Sequence, residues 1–263
     1  GAEITFESLL KIRDAINDAR KTKEAGVIIT TGTDSLEEMA FALDLMLAPG
    51  PPVILTAAMK PTRAQGYDGV ANLEHAVQVA LSGDAYQCGS VLVVISGVIH
   101  AGRYVRKQDS ALLDAFQSYP GPIGDIRRGK PNFYYSSVSP FERFLHVDPE
   151  RLRALKVPIW TMTTKAYLNP DSLADFDALV VAGMGTGSLS KAVLDSLSPQ
   201  WTTRIPIVLT TRCSTGFNYD DHLYVGSLEK YVAKGFRLRG FEGLNALQAR
   251  IRLMLELSTL NSQ

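Results

Sequence analysis

The sequence contains few of the residues that build disulfide frameworks and metal centres. It has two cysteines and four histidines among 263 residues, and Cys88 and Cys213 lie far apart and outside any C-x-x-C pattern. The histidines are scattered, and no pair has the spacing of metal ligands. We therefore expect two buried free thiols, with no disulfide framework, no zinc site and no cofactor. Free thiols are typical of a reducing compartment, which favours the cytoplasm.

The sequence also lacks an excess of charge of either sign and any long apolar run. Lys plus Arg and Asp plus Glu number 27 each, so the formal net charge is zero. A zero balance argues against nucleic acid or an anionic membrane as the main partner, and no apolar run is long enough to span a membrane. No signal-peptide pattern opens the sequence, but a mature periplasmic or secreted form would also lack one. What remains is an ordinary globular composition with 46% hydrophobic residues.

Short apolar runs alternate with amphipathic stretches, which is typical of α/β folds built from βαβ units. We expect two doubly wound parallel-sheet domains. The larger covers residues 1–127, the smaller covers 155–263, and residues 128–154, rich in Pro, Gly, aromatic and basic residues, form a linker with an irregular strand or two. The predicted strands are Gly26–Thr30, Val53–Thr56, Val91–Ile95, Val157–Met162, Ala178–Ala182 and Ile205–Thr210.

Helix signals lie between these strands. Thr5 is placed to cap a first helix, and Ser35 with Glu38 has the pattern of a capping box for a second, ending near Leu47. One apolar face of a third helix is marked by Val70, Leu73, Val77 and Ala80. Two more helices are predicted near Ser188–Leu197 and Leu244–Leu257. A doubly wound domain usually begins with a strand, whereas this sequence opens on a helix, so we expect the first domain to lack its first strand in this chain.

Polar residues follow the first predicted strand in the order Thr30-Thr31-Gly32-Thr33-Asp34-Ser35. The carboxyl edge of a parallel sheet is where ligands bind, and the free N–H groups that begin a helix suit an oxyanion. Thr33 adds a hydroxyl group and Asp34 a carboxylate. The same residue types are favoured at strand exits and helix N-caps without any function, so the spacing alone leaves both interpretations open.

Two other segments have an ambiguous pattern. The glycine-rich segment from Gly183 to Ser188 follows a predicted strand, but Ser188 breaks the G-x-G-x-x-G pattern and no acidic residue follows at the required distance. It predicts a tight strand–helix turn rather than a nucleotide site. Arg103, Arg106 and Lys107 place three cations in five residues, which is typical of a solvated loop. A lysine desolvated beside a Thr hydroxyl can nevertheless act as its general base.

Taken together and in order, these segments resemble the bacterial-type L-asparaginase/glutaminase family of amidohydrolases. The resemblance covers essentially the whole chain. It rests on the segments Ile29–Glu38, Thr56–Thr62, Tyr67–Leu73, Gly102–Lys107, Val181–Gly185 and Arg212–Gly216.

The resemblance implies a catalytic set made of Thr33, Lys107 and Asp34. In this set Asp34 polarises Lys107, and Lys107 takes a proton from the Thr33 hydroxyl or from water. The backbone N–H groups of Gly32 and Thr33, with Ala58 nearby, would frame the scissile amide. Asp34 would also face the ammonium group of the substrate.

The sequence departs from the family pattern at three places. The family's first nucleophilic threonine, in an N-terminal Gly-Gly-Thr-Ile segment, does not occur in these 263 residues. Ala2-Glu3 stands where the family binds the substrate's α-carboxylate and α-amine with Ser-Gln or Ser-Glu, and Ser188 stands where the family has a dimer-partner asparagine. We therefore expect an amidohydrolase whose small-molecule substrate is a modified amide, a lactam or an imide rather than free asparagine.

Two alternatives remain open: a non-catalytic binding or regulatory module, and a subunit that needs a separate short N-terminal chain for activity. A pure binding module would retain buried charged groups at a cost in stability, which favours the enzyme. The family builds its site across a dimer, so the resemblance implies a homodimer or homotetramer. The predicted C-terminal helix offers an apolar face for that contact, or for packing within its own domain, formed by Leu244, Leu247, Ile251 and Met254.

Overall fold

The structure is a computed structural model. It divides the chain into two compact units, residues 1–149 and 150–263, and both are α/β. The residues that it describes are 3–22, 26–88, 91–135, 142–166 and 169–260.

The first unit carries the elements predicted around the Thr33 segment. Its helices are α1 (Phe6–Lys21), α2 (Leu36–Met46), α3 (Gly69–Ala80) and α4 (Gly83–Cys88). Its strands are β1 (Val27–Thr30), β2 (Val53–Thr56), β3 (Val91–Ile95), β4 (Val98–Ala101), β5 (Val105–Lys107), β6 (Phe116–Ser118), β7 (Gly124–Arg127) and β8 (Lys130–Phe133). Thr5 caps α1 as predicted, whereas Ser35 is the N-cap of α2 without a side-chain capping hydrogen bond.

Six of these strands form one mixed sheet in the order β1-β2-β3-β4-β7-β8. Strands β1, β2 and β3 are parallel, and β4, β7 and β8 extend the sheet in antiparallel fashion. Strands β5 and β6 form a separate two-stranded sheet. The parallel register places Thr30 opposite Thr56, so the segments that follow β1 and β2 leave the sheet at the same edge.

Strand β8 lies within residues 128–154, which the sequence pattern assigns to a linker. Strands β7 and β8 are joined by a two-residue turn in which Arg128 and Gly129 have φ values of 52° and 69°. Such a turn favours Asn-Gly or Gly-Gly, so an Arg at its first position gives no hairpin signal in the sequence. Helix α5 (Pro149–Ala154) follows in the same segment.

Strand β1 differs from its neighbours in burial. In the part of the chain that the structure describes, β1 pairs with β2 alone. All four residues of β2 are buried, whereas Val27, Ile28 and Ile29 are only partly buried. The outer edge of β1 therefore carries apolar side chains that the described residues only half cover.

Helix α3 packs on the sheet with a face other than its most apolar one. Its buried residues are Asn72, Ala76, Val79 and Ala80. Of the face predicted from the sequence, Ala80 is buried but Val70, Leu73 and Val77 are exposed. Leu81, which follows the helix, continues this exposed apolar stripe.

The second unit is built around a smaller, three-stranded parallel sheet. Its strands are β9 (Ile159–Thr161), β10 (Leu179–Gly183) and β11 (Ile207–Thr211), in the order β11-β10-β9. Its helices are α6 (Lys191–Leu197), α7 (Ser227–Val232) and α8 (Ala246–Ser258), with a 3₁₀ helix over Pro170–Asp175.

Helix α8 packs on this unit's own sheet. Packing buries Ile251 and Met254 on α8 and Leu244 just before it, and leaves Leu247 partly buried. Helix α8 contacts β9, β10 and β11. Most of the apolar face predicted for an oligomer contact, or for packing within the domain, is therefore covered within the unit. None of the described helices has both the length and the apolar character that crossing a membrane requires.

The two cysteines differ from the expectation of two buried thiols. Cys88 is buried, and burial raises the pKa of its thiol to about 11. Cys213 is exposed, in the segment that follows β11. The apolar environment of Cys88 makes its thiol unreactive, because the thiolate is the reactive form.

Candidate active site

The candidate site lies at the carboxyl edge of the parallel strands in the first unit. Residues 31–35 connect β1 to α2, and residues 57–68 connect β2 to α3. The two connections border a cavity of 370 Å³. It is lined by Thr30, Thr31, Thr56, Ala57, Ala58, Lys60, Pro61, Thr62, Tyr67, Gly69 and Leu73.

Thr33, Asp34 and Lys107 meet beside this edge. Lys107 lies at the end of β5, and its Nζ donates hydrogen bonds to Thr33 Oγ1 at 2.9 Å and to Asp34 Oδ1 at 3.3 Å. The Lys107 side chain is 16% exposed, whereas that of Asp34 is 69% exposed. Because water screens Asp34, its attraction for the ammonium group is weak, and the hydrogen bond to Thr33 is the better-defined contact of the lysine. An amine held between a hydroxyl and a carboxylate is placed to move the hydroxyl proton.

Arg103 and Arg106 are not in a solvated loop, which corrects the interpretation of the three neighbouring cations. Arg103 and Arg106 are 2% and 3% exposed. Arg103 donates from Nε to Asp44 Oδ2 at 2.7 Å, and the guanidinium of Arg106 lies 5.5 Å from the ring centroid of Tyr119. Asp44 and Tyr119 are distant in the sequence, so the local pattern could not indicate them.

Glu37 is a site residue that the sequence pattern does not indicate. It lies in the first turn of α2, and its Oε2 accepts the backbone N–H of Lys107 at 3.1 Å. Burial raises the pKa of the Glu37 carboxyl above its ordinary value, against the opposing effects of the Lys107 N–H and the charges of Arg106 and Lys107. The sequence gives no signal for this contact, because the N–H group that Glu37 accepts lies 70 residues away. An acidic residue in the first turn of a helix is also common without any further role.

Asp68 and Asn72 organise the segment that follows β2. Asp68 accepts hydrogen bonds from the N–H groups of Met59 and Lys60 at 2.9 and 3.0 Å. Burial acts to raise the pKa of Asp68, but these hydrogen bonds and one from Asn72 outweigh it and leave the pKa below its ordinary value. Asn72 also donates to Ala57 O and accepts from the Ser96 N–H, so one side chain links the segments after β2 and β3.

The other predicted binding residues lie in several places. Gly32 is exposed between β1 and α2, and Ala58 lines the cavity. Glu3 is exposed in a turn before α1, and Ala2 lies outside the described residues.

Ser188 belongs to the second unit. It is exposed in a tight turn after β10, where the Met184 N–H donates to Ser188 O at 3.0 Å. A Cβ on Gly183 would lie 2.4 Å from the Gly187 backbone, and Gly187 has a φ of 101°, so the glycines serve the close turn that the pattern predicts. Among the residues that the structure describes, no group of three or more His, Cys, Asp and Glu is arranged to hold a metal ion.

Comparisons with known proteins place both units in one family. Residues 1–139 match the family model described as "Asparaginase, N-terminal". Residues 160–263 match the model described as "Glutaminase/Asparaginase C-terminal domain".

Individual relatives agree with these matches. A "Probable L-asparaginase" of Deinococcus radiodurans is 36% identical over 235 residues, which are 88% of this chain and 70% of the relative. "L-asparaginase 2" of Escherichia coli is 32% identical over 90% of this chain and 67% of the relative. A crystal structure described as "Probable Cytoplasmic L-asparaginase from Campylobacter jejuni" superposes with a TM-score of 0.86 at 30% identity, over 98% of this chain and 79% of that one. The chain therefore belongs to the asparaginase family of amidohydrolases.

Proposed function

We propose that the protein hydrolyses the side-chain amide of L-asparagine or of a close analogue, with Thr33, Lys107 and Asp34 as its catalytic set. The observation that carries this proposal is the position of Lys107 Nζ, 2.9 Å from Thr33 Oγ1 and 3.3 Å from Asp34 Oδ1. The relatives are named L-asparaginases, which favours asparagine as the substrate. They give no support to the modified amide, lactam or imide that Ala2 and Ser188 predict.

In the proposed chemistry Lys107, polarised by Asp34, acts as the general base. Lys107 Nζ takes the proton of the Thr33 hydroxyl, or of a water molecule, and the oxygen attacks the carbonyl carbon of the amide. The C–N bond then breaks, and the proton returns from Lys107 to the departing nitrogen, which leaves as ammonia. Where Thr33 is the attacking group, water hydrolyses the resulting ester and regenerates the hydroxyl.

The backbone N–H groups of Gly32 and Thr33 are proposed to bind the carbonyl oxygen in this reaction. They lie between β1 and α2, where N–H groups near a helix start stabilise developing negative charge. Ala58 lines the adjacent cavity and would bound the scissile amide on its other side. Glu3 is proposed to bind the α-amine of the substrate.

Activity is proposed to depend on a further strand beside β1 that carries the family's other threonine. The half-covered apolar side chains of β1 support this proposal, since an added strand would cover them and pair with the edge. The test is a comparison of the 263-residue chain with protein from its native source, together with an intact-mass search for a second short chain. Equal turnover by the two preparations would contradict the proposal that activity depends on a further strand beside β1.

We also propose a homodimer or homotetramer and a cytoplasmic location, with no nucleic acid or membrane as partner. The family resemblance alone supports the oligomer, because α8 is covered within its own unit. Light scattering should return two or four copies of the 28.7 kDa chain, and a monomer at working concentration would contradict the oligomer.

The proposed cytoplasmic location is supported by the Campylobacter jejuni relative, which is described as cytoplasmic.

The decisive experiment is an ammonia-release assay with L-asparagine, L-glutamine, blocked amides, lactams and imides. We expect the highest kcat/KM with L-asparagine. Lys107→Ala should lower kcat by about 10²- to 10⁴-fold, the usual contribution of proton transfer, whereas Lys11→Ala on the exposed side of α1 should leave it unchanged. If a lactam or an imide gave the highest kcat/KM of the compounds tested, that result would support the substrate class predicted from Ala2. Binding without turnover of any compound would support the binding module.

A further inference from the structure

The two halves of the proposed catalytic set belong to different elements of the first unit. Thr33 and Asp34 immediately precede α2, whereas Lys107 ends β5 in the separate two-stranded sheet. Their relative position therefore depends on what holds the start of α2 against the end of β5. A hydrogen bond of 2.9 Å between Lys107 Nζ and Thr33 Oγ1 leaves little tolerance, since a displacement of about 1 Å breaks it.

The carboxylate of Glu37 connects the start of α2 to the end of β5. The hydrogen bond from the Gln108 N–H to Ala115 O continues the pairing of β5 with β6 one residue beyond each strand, and neighbouring amides of an extended chain point to opposite sides. The Lys107 N–H therefore points away from β6, towards α2, where Glu37 Oε2 accepts it at 3.1 Å. Glu37 lies three residues after Asp34, so it ties the backbone of Lys107 to the segment that carries the other two groups.

Neighbouring charges act on the Glu37 carboxylate in both directions. Burial and the negative charge of Glu38 raise its pKa, whereas the positive charges of Arg106 and Lys107 favour its ionised form. Arg106 is itself buried, against the ring of Tyr119. A half-buried carboxylate that binds an N–H group and faces two cations is held more firmly than a surface acid.

We propose that Glu37 is a positioning residue that fixes Lys107 against Thr33 through the Lys107 backbone. This inference rests on the proposed function and names a residue that acts through Lys107 without touching the substrate. Glutamine at position 37 can still accept the N–H through its amide oxygen, whereas alanine cannot. The neighbouring Glu38, on the same turn of α2, offers a matched control.

The kinetic test compares Glu37→Ala, Glu37→Gln and Glu38→Ala on the best amide substrate. We expect Glu37→Ala to lower kcat by about 10- to 100-fold with KM nearly unchanged, because the lysine is misplaced while the binding surface is kept. Glu37→Gln should recover most of the loss, and Glu38→Ala should match the unmodified protein. In a Lys107→Ala background, Glu37→Ala should cost nothing further. The proposal would be overturned if the losses from Glu37→Ala and Lys107→Ala were additive. It would also be overturned if Glu37→Ala and Glu38→Ala lowered kcat equally.

A second measurement does not depend on turnover and separates this proposal from the proposed function. Trace labelling of lysines with acetic anhydride, read by peptide mass spectrometry, reports the accessibility of each amine. Lys107 is 16% exposed and Lys191 is 89% exposed, so Lys191 serves as the internal reference. Glu37→Ala should raise the labelling of Lys107 severalfold relative to Lys191, and Glu37→Gln should not. Unchanged Lys107 labelling in Glu37→Ala would overturn the positioning role even in a protein without activity.

Discussion

The Thr33 hydroxyl is the single group whose removal should most affect turnover while leaving the shape of the site intact. Valine has the volume of threonine and lacks the hydroxyl, so Thr33→Val should lower kcat by about 10²- to 10⁴-fold. Thr33→Ser keeps Oγ within reach of Lys107 and should retain activity within about tenfold of the original. The measurement is steady-state ammonia release. Full activity in Thr33→Val would show that Lys107 acts on water without this hydroxyl.

His100 should make the first unit sensitive to mild acid. It is 2% exposed in β4, its Nδ1 lies 2.7 Å from Ser118 Oγ, and burial lowers its pKa from 6.5 to about 4. Between these two values the unfolded chain binds a proton that the folded chain does not, so the free energy of unfolding falls as the pH falls from 6.5 to 4. The full effect is about 3 kcal/mol, at 1.36 kcal/mol per pH unit.

Urea denaturation of the unmodified protein and of His100→Gln at pH 7, 5.5 and 4.5 tests this expectation. Other groups titrate in both proteins, so the difference between the two curves isolates the histidine. The stability difference should shift in favour of His100→Gln as the pH falls. A difference that is constant with pH would show that His100 accepts its proton in the folded state.

At the scale of elements, a buried ion pair joins α2 to the turn before β5. Asp44 Oδ2 accepts from Arg103 Nε, and Asp44 Oδ1 accepts the N–H of Val91 at the start of β3. Both charged side chains are almost completely buried. Asp44→Asn should destabilise the protein by about 3–5 kcal/mol, because a buried guanidinium loses its carboxylate.

The double variant Asp44→Asn/Arg103→Met should be less destabilised than Asp44→Asn alone. It removes the buried cation, and the asparagine oxygen can still accept the Val91 N–H. Asp18→Asn breaks an exposed ion pair with Lys21 and should cause no measurable change in urea denaturation. A double variant that is less stable than the single one would show that the Arg103 packing matters more than its charge.

Helix α3 provides a matched pair of identical substitutions. Val79 is completely buried and Val77 is 41% exposed. Val79→Ala should therefore cost about 1–3 kcal/mol, whereas Val77→Ala should stay within about 0.5 kcal/mol of the unmodified protein. Thermal unfolding measures both. A large loss in Val77→Ala would mean that another segment covers the exposed apolar stripe of α3.

The sequence predicts elements with strong local signals and does not predict those that depend on distant partners. Strands β2 and β3 have the predicted bounds, because short apolar runs between turn residues are local signals. The contact of Glu37 with Lys107 and that of Arg103 with Asp44 join residues 70 and 59 positions apart, so no local window contains both partners. The sequence also predicts α3, but of the four apolar residues that mark its predicted face only Ala80 is buried. Asn72 takes a core position instead, where it binds backbone groups.

At the scale of the whole molecule, each unit has a hydrophobic core of its own. One cluster includes Leu92 and lies wholly in the first unit, and another includes Leu209 and lies wholly in the second. The two tryptophans of the chain, Trp160 and Trp201, both belong to the second unit. Tryptophan fluorescence therefore reports on the second unit, whereas far-UV circular dichroism reports on both.

This distribution allows a comparison of Leu92→Ala with Leu209→Ala. Both leucines are completely buried, so each substitution removes the same atoms and should cost about 2–5 kcal/mol in its own unit. Leu209→Ala should lower the midpoint of the fluorescence transition. Leu92→Ala should lower the midpoint of part of the circular dichroism transition and leave the fluorescence midpoint unchanged, because a separate core can unfold on its own. Identical shifts of both signals in both variants would instead show that the two cores unfold in one cooperative step.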